Sequence, residues 1–155
     1  MQVQVQVWVE GNGLRLHPQK THVGDCRPAG LGFEFLGYRF QGGRRHVRRK
    51  SLQALRERVR ERTGRTRSGS LERIVEELNP VLRGWFIYFQ HAHWTTFAPL
   101  DGFVRRRLRA LLGRREKRPG FGRCHADHRR WPNAFFAAAG LFTLATAHRL
   151  ARQSR

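Results

Sequence analysis

Asn79-Pro80-Val81-Leu82-Arg83-Gly84-Trp85-Phe86-Ile87-Tyr88-Phe89 decides how this chain is read. Asparagine followed by proline predicts a helix start. Asn79 serves as cap and Pro80 as first residue, where the missing N–H of proline costs nothing. Leu82, Trp85, Phe86 and Phe89 then recur at three and four residues, the stripe of a helix lying on a core. Trp85, Phe86 and Phe89 are therefore expected as structural core. Tyr88 and the nearby Trp94 fall off the stripe and are candidates for stacking on bases.

The helical pattern extends to both sides of this window. Upstream, Leu71, Ile74, Val75 and Leu78 form an apolar face behind Ser70, a good N-cap. Before them, Leu52, Leu55 and Val59 predict a helix that ends in a polar loop from Thr63 to Gly69. Downstream, Thr96 and Pro99 suggest another start. Leu100, Phe103, Val104, Leu108, Leu111 and Leu112 point inward from that helix, with Arg105, Arg106, Arg107 and Arg109 around them. Residues 113–130 read as a basic, glycine-containing linker. Trp131-Pro132-Asn133 opens a short helix that Gly140 ends, and Leu141 to Leu150 suggest one more.

The first third has the period of strands. Val3, Val5, Val7 and Val9 alternate with glutamines, as in a half-buried strand, until Gly11-Asn12-Gly13 breaks the chain. An exposed valine edge there invites self-association. Leu14-Arg15-Leu16-His17 is a short strand candidate, Phe33 to Phe40 a stronger one. Gln41-Gly42-Gly43-Arg44 reads as a turn into a returning strand at Arg45–Arg48. The expected fold class is α+β, a small N-terminal β unit followed by a mainly helical bundle.

Lys and Arg number 31 against 11 Asp and Glu, a formal net charge of +20 over 155 residues. That charge repels itself in a compact fold unless a polyanion lies close, and arginine's planar fork suits both phosphates and bases. Structured RNA is the expected partner. The candidate contacts are Lys20, Arg44, Arg45, Arg48, Arg49 and Lys50 in the first third; Arg56, Arg60, Arg65, Arg67 and Arg83 in the middle; and Arg105, Arg106, Arg107 and Arg109 beyond. Six to ten phosphate contacts of this kind lose roughly three to five decades of affinity between 50 and 200 mM salt.

Other classes find less support. Two cysteines, Cys26 and Cys124, make no disulfide framework. No apolar run is long enough for a bilayer and no signal pattern opens the chain, so the cytoplasm is the expected compartment. Cys124-His125-Ala126-Asp127-His128 holds metal-ligand types but lacks paired Cys-x-x-Cys or His-x-x-x-His spacing, and no metal or cofactor is expected. His91 and His93 flank a helix end, where capping explains them. Glu76 and Glu77 read as solvated charge.

Three blocks, taken in order, resemble the group II intron reverse transcriptase/maturase family. Gly13-Leu14-Arg15-Leu16-His17-Pro18-Gln19-Lys20-Thr21 with Gly32-Phe33-Glu34-Phe35-Leu36-Gly37-Tyr38-Arg39-Phe40 is similar to the segment closing the polymerase palm. Ser70 through Phe89 contains Pro80-Val81-Leu82-Arg83-Gly84-Trp85, similar to the core of the maturase-specific, X or thumb, motif. Leu100-Asp101, the basic helix and Trp131-Pro132-Asn133 form the third. The resemblance implies a palm-end β appendage over 1–49, a helical thumb domain over 50–118, and a basic linker with C-terminal helices over 119–155. It implies binding of group II intron RNA in aid of splicing.

The sequence departs from the family in lacking a Tyr-Ala-Asp-Asp box. Polymerisation needs paired aspartates to hold two divalent ions about 3.5–4 Å apart, so the chain is expected to be non-catalytic by itself, similar to the carboxyl-terminal part of an RNA-directed DNA polymerase. A separate palm fragment is then a further candidate partner. The competing expectations are the thumb of a split polymerase and a general basic nucleic-acid chaperone.

Overall fold

The computed structural model describes residues 2–17, 27, 32–64, 66–118 and 120–154. The fold is α+β, a three-stranded antiparallel sheet followed by a helical bundle. Helix α1 spans Gln2–Gly11. Strands β1 (Phe33–Phe35), β2 (Tyr38–Gln41) and β3 (Arg44–Val47) make the sheet in sequence order. Helices α2 (Arg49–Arg62), α3 (Leu71–Phe89) and α4 (Phe97–Arg115) form the bundle, and α5 (His125–Arg130), α6 (Asn133–Ala138) and α7 (Leu144–Gln153) complete it.

The sheet consists of two tight hairpins. The stretch from Phe33 to Phe40, expected as one strand, turns back at Leu36-Gly37, where both residues have positive φ (47° and 79°). Two consecutive positive φ values match the right-handed twist of the flanking strands. The register pairs Phe35 with Tyr38 and Phe33 with Phe40, whose rings stack at 5.1 Å. Gly42-Gly43 makes the second hairpin as expected, closing Gln41 on Arg44. Gly37 is required twice over. Its φ is +79°, and a Cβ there lies 3.2 Å from the Phe89 ring of α3. The Gly37 carbonyl also accepts from the Arg48 N–H at 2.9 Å, which seats the hairpin at the start of α2.

The N-terminal valines do not form a strand. Residues 2–11 are helical, with Val5, Val7 and Trp8 exposed. An unpaired strand leaves its backbone groups without partners, whereas a helix satisfies them internally. Asn12 and Gly13, expected only to break the chain, terminate this helix. The Asn12 side chain donates to the Trp8 carbonyl at 2.8 Å, and Gly13 has φ +72°. The valine edge on which self-association was expected is therefore absent. Leu14–His17 likewise carry no strand.

One continuous core joins the elements. It runs from Val47 of β3 through Leu55 and Val59 of α2, the α3 stripe, and Leu100, Val104, Leu108 and Leu111 of α4. Trp131, Phe136, Leu141 and Leu144 of the C-terminal segment belong to it as well. Ser70 caps α3 as expected, its hydroxyl accepting from the Arg73 N–H at 3.2 Å.

Helix α3 does not restart at Asn79-Pro80; it runs unbroken with Pro80 inside. An interior proline costs about 3 kcal/mol. Val75, Leu78, Leu82 and Phe86 flank it on the buried stripe, each gaining about 1.5–3 kcal/mol from burial. Continuity of the stripe outweighs the lost hydrogen bond. Asn79, released from capping, staples the C-terminal segment instead: its amide donates to the Gly140 carbonyl at 2.9 Å and its oxygen accepts from the Phe142 N–H at 2.8 Å.

The stretch 113–130 is not a plain linker. Helix α4 continues to Arg115, and α5 occupies residues 125–130. Between them Gly122 lies against α4, where a Cβ would stand 2.5 Å from the Arg106 carbonyl and 2.7 Å from the Ala110 nitrogen. Only glycine allows the loop this close to the helix backbone.

Candidate nucleic-acid interface

The arginines divide into those that hold the fold and those that face outward. Arg109 belongs to the first group. It is 2% exposed, its Nε donates to the Trp131 carbonyl at 2.9 Å, and a terminal nitrogen donates to Asn133 Oδ1 at 2.9 Å. Burial and the nearby Arg105 charge lower its pKa, while Asp127 partly raises it. Arg109 was expected to contact RNA; its guanidinium is instead enclosed and committed.

Arg107 is likewise engaged. It reaches the end of α2, donating to the Thr63 carbonyl at 2.7 Å and the Thr63 hydroxyl at 3.1 Å. A cation on a helix C-terminus meets the negative end of the dipole. Arg67 pairs with Glu77, which Arg73 also approaches at 3.6 Å. Glu77 is thus a pairing residue rather than a merely solvated charge. Arg48 is half-buried, 4.0 Å from Glu34. Arg105 is half-buried, with its charge near Asp101.

Arg56, Arg60 and Arg106 converge. Their guanidinium carbons stand 6.0, 5.5 and 5.3 Å from the centre of one ring, Phe103. With Pro99 and Gly102 they line an open groove of about 420 Å³ between α2 and α4. The helical period accounts for the geometry: Arg56 and Arg60 lie one turn apart on α2, as Gly102 and Arg106 do on α4. Burial first, then the charges of Arg123, Arg60 and Arg56, lower the Arg106 pKa. Like charges held together around an aromatic face create a demand for an anion, and Phe103 offers a surface on which guanidinium or base can stack.

Other expected contacts lie elsewhere. Arg44, Arg45, Arg49 and Lys50 are exposed on the second hairpin and the first turn of α2. Arg83 is exposed on α3, 5.5 Å over the Phe142 ring. Lys20 and Arg65 lie outside the described residues, as does Cys26. Phe103 and Arg123 were not foreseen as parts of the site. Phe103 had been assigned inward and Arg123, whose charge acts on Arg106, to a linker; the signal for Phe103 was its three-residue spacing from Arg106, and nothing in the sequence marked Arg123.

The aromatics expected as core are there, in graded depth. Phe86 and Phe89 are buried. Trp85 is half-buried, its ring 4.7 Å from Phe89 and 6.4 Å from Phe97. The metal-ligand types near Cys124 have a structural use. The Cys124 sulfur accepts from the Asp127 N–H at 3.4 Å, capping α5. Among the described residues no group of three His, Cys, Asp or Glu side chains is placed to hold a metal ion. Among them too, no helix is long and apolar enough to cross a membrane.

None of the curated proteins matches this chain. Residues 52–131, more than half its length, match the family model described as group II intron, maturase-specific domain. That span begins in α2, holds all of α3 and α4 and ends at Trp131, so it contains the whole arginine groove. On that match, the chain belongs to the group II intron maturase-specific domain family.

Proposed function

We propose that this chain is an RNA-binding maturase module that stabilises the folded form of a group II intron RNA for splicing. The observation that carries the reading is the convergence of Arg56, Arg60 and Arg106 on Phe103, within the span that matches the family. Catalysis belongs to the RNA. The protein contributes fixed positive charge where strands of the RNA crowd together, a stabilisation that costs no reorganisation because the helices already hold the guanidiniums in place. Folded RNA is recognised largely through backbone and shape, which suits a rigid groove between two helices.

The test is filter binding with structured intron RNA against a mixed-sequence competitor, over a series of salt concentrations. The triple variant Arg56→Gln, Arg60→Gln, Arg106→Gln should lower the slope of log affinity against log salt by about 2 to 3. Equal affinity of the wild-type chain for both RNAs rejects the maturase reading in favour of a general chaperone.

A second reading has its own observation. Among the described residues strand β1 is one edge of the sheet, and its Phe33 and Phe35, with Leu36 in the turn that follows, are exposed. An apolar edge of this kind suits a polymerase palm supplied by another polypeptide, with this chain as its thumb. Mixing the two should restore magnesium-dependent primer extension; extension by the chain alone contradicts the non-catalytic reading.

A further inference from the structure

The groove between α2 and α4 does not account for Trp94. Tyr88, which shares its off-stripe position, is accounted for by the first hairpin. Its hydroxyl donates to the Leu36 carbonyl at 3.0 Å, and its ring lies against Phe89 at 4.7 Å. Trp94 has no such use. It is 60% exposed, on a single turn of 3₁₀ helix, Trp94–Thr96, between α3 and α4.

The turn is fixed from behind. The His93 N–H donates to the Arg45 carbonyl of β3 at 2.7 Å, the Thr96 N–H donates to the His93 carbonyl at 3.0 Å, and His93 Nδ1 bonds the Thr95 hydroxyl at 2.8 Å. The His93 ring lies beside the indole, tilted to it by 39° with the ring centres 5.6 Å apart. Two clefts meet at Trp94, of about 390 and 500 Å³. Arg45 and Arg152 line the first, Arg149 and Arg152 the second, and no carboxylate lines either among the described residues.

We propose that Trp94 is the stacking platform of a second RNA subsite, which takes an unpaired nucleobase on the indole and its flanking phosphates on Arg45, Arg149 and Arg152. The inference rests on the RNA-binding reading and adds to it a distinction between paired and unpaired RNA. An aromatic face stacks on any splayed base, and cations on both sides of it track the backbone in either direction. Inside a paired helix each base face is covered by the next pair, so the subsite favours loops, bulges and strand ends over duplex interior.

The experiment uses the whole chain and two labelled probes, an oligoadenylate and a fully paired RNA duplex of equal charge, with affinity read by fluorescence anisotropy at moderate salt. Trp94→Ala should weaken the oligoadenylate between about fivefold and 150-fold, the range of one lost base stack. It should leave the duplex unchanged, and Trp94→Phe should retain most of the affinity. Thermal melting of each variant guards against a folding effect, which exposure of the ring argues against. Equal loss on both probes overturns the inference, as does an unchanged oligoadenylate affinity; the latter assigns the surface to some other partner. If the groove variant Arg60→Gln with Arg106→Gln still weakens the duplex, the RNA-binding reading stands without the subsite. Failure of the wild-type chain to bind either probe removes both.

Discussion

Arg106 and Arg109 are three residues apart on one helix and should fail in opposite ways. Replacing Arg109 by alanine removes two hydrogen bonds from a charged donor, to the Trp131 carbonyl and Asn133 Oδ1, each 2.9 Å long. Such bonds contribute about 1.5–3 kcal/mol each, so the loss is about 3–6 kcal/mol, with the buried Trp131 carbonyl left unpaired. For a chain of 155 residues, each kcal/mol moves the melting temperature by about 2–4 °C, which predicts a fall of about 6–24 °C. Arg106→Ala removes a half-exposed guanidinium that stacks on Phe103 and repels Arg123, Arg60 and Arg56. Those contributions oppose each other, so melting should stay within a degree or two of wild type, about 0.5 kcal/mol. RNA affinity should fall and the salt slope flatten by about 1. Calorimetry and filter binding on both variants decide the matter. Unchanged melting with reduced RNA affinity in Arg109→Ala refutes the division of the arginines drawn here.

Four further outcomes are expected. Gly84→Ala should stabilise the chain by about 0.5–1 kcal/mol in denaturant unfolding, since nothing lies within 4 Å of the new methyl in α3. Gly122→Ala should destabilise it by more than 1 kcal/mol, an order-of-magnitude figure for a Cβ forced at positive φ into a neighbouring backbone, and proteolysis should then cut near residue 122. Asn79→Ala should cost about 1–3 kcal/mol by releasing Gly140 and Phe142, with hydrogen exchange rising in α7 first. Asp101 accepts from the Leu144 and Ala145 N–H groups at 2.9 Å each, yet burial holds its carboxyl above the ordinary 3.8, the two N–H groups and Arg105 pulling it back only in part. A folded pKa above the unfolded one means that the native state holds the proton more tightly, so this residue's contribution falls as pH rises from 3.8 through the folded value. Asp101→Asn should flatten that part of the stability–pH curve.

Much of the helical bundle is legible from period alone. Leu55, Val59, Ile74, Leu78, Leu82, Phe86, Leu100, Val104, Leu108 and Leu111 all lie where spacings of three and four put them. What period cannot reveal is which backbone groups find partners. Alternating valines at the N-terminus fit a strand only if another strand pairs with them, and among the described residues the sheet contains just the two hairpins. Asn79-Pro80 carries a strong local start signal, but the buried side chains on both sides of it form one stripe, and burial outweighs the signal. The Leu36-Gly37 turn was hidden because a leucine stands at positive φ, a position sequence rules reserve for glycine or asparagine.

The misassigned arginine and the misread linker are one error. With residues 113–130 taken as a loop in solvent, α4 needs a single buried face, and Arg109, one step past Leu108, falls outside it. In the structure the chain folds back so that Gly122 touches the α4 backbone and Trp131 packs into the core, which covers a second face of the helix. Arg109 is then inside. The composition explains why an arginine can live there: with 11 acidic residues for 31 basic ones, carboxylates cannot pair every guanidinium. Backbone carbonyls take their place. Arg107 closes the end of α2 through Thr63, Arg109 the end of α5 through Trp131, and Arg115 reaches the Arg67 carbonyl at 3.1 Å. Arg107 and Arg109 place a positive charge at a helix C-terminus, as the dipole favours. The positive charge available to the proposed RNA partner is thus what remains after the fold has taken its share. Counting arginines overstates the interface, and the groove at Phe103 marks where three of them converge on one aromatic face.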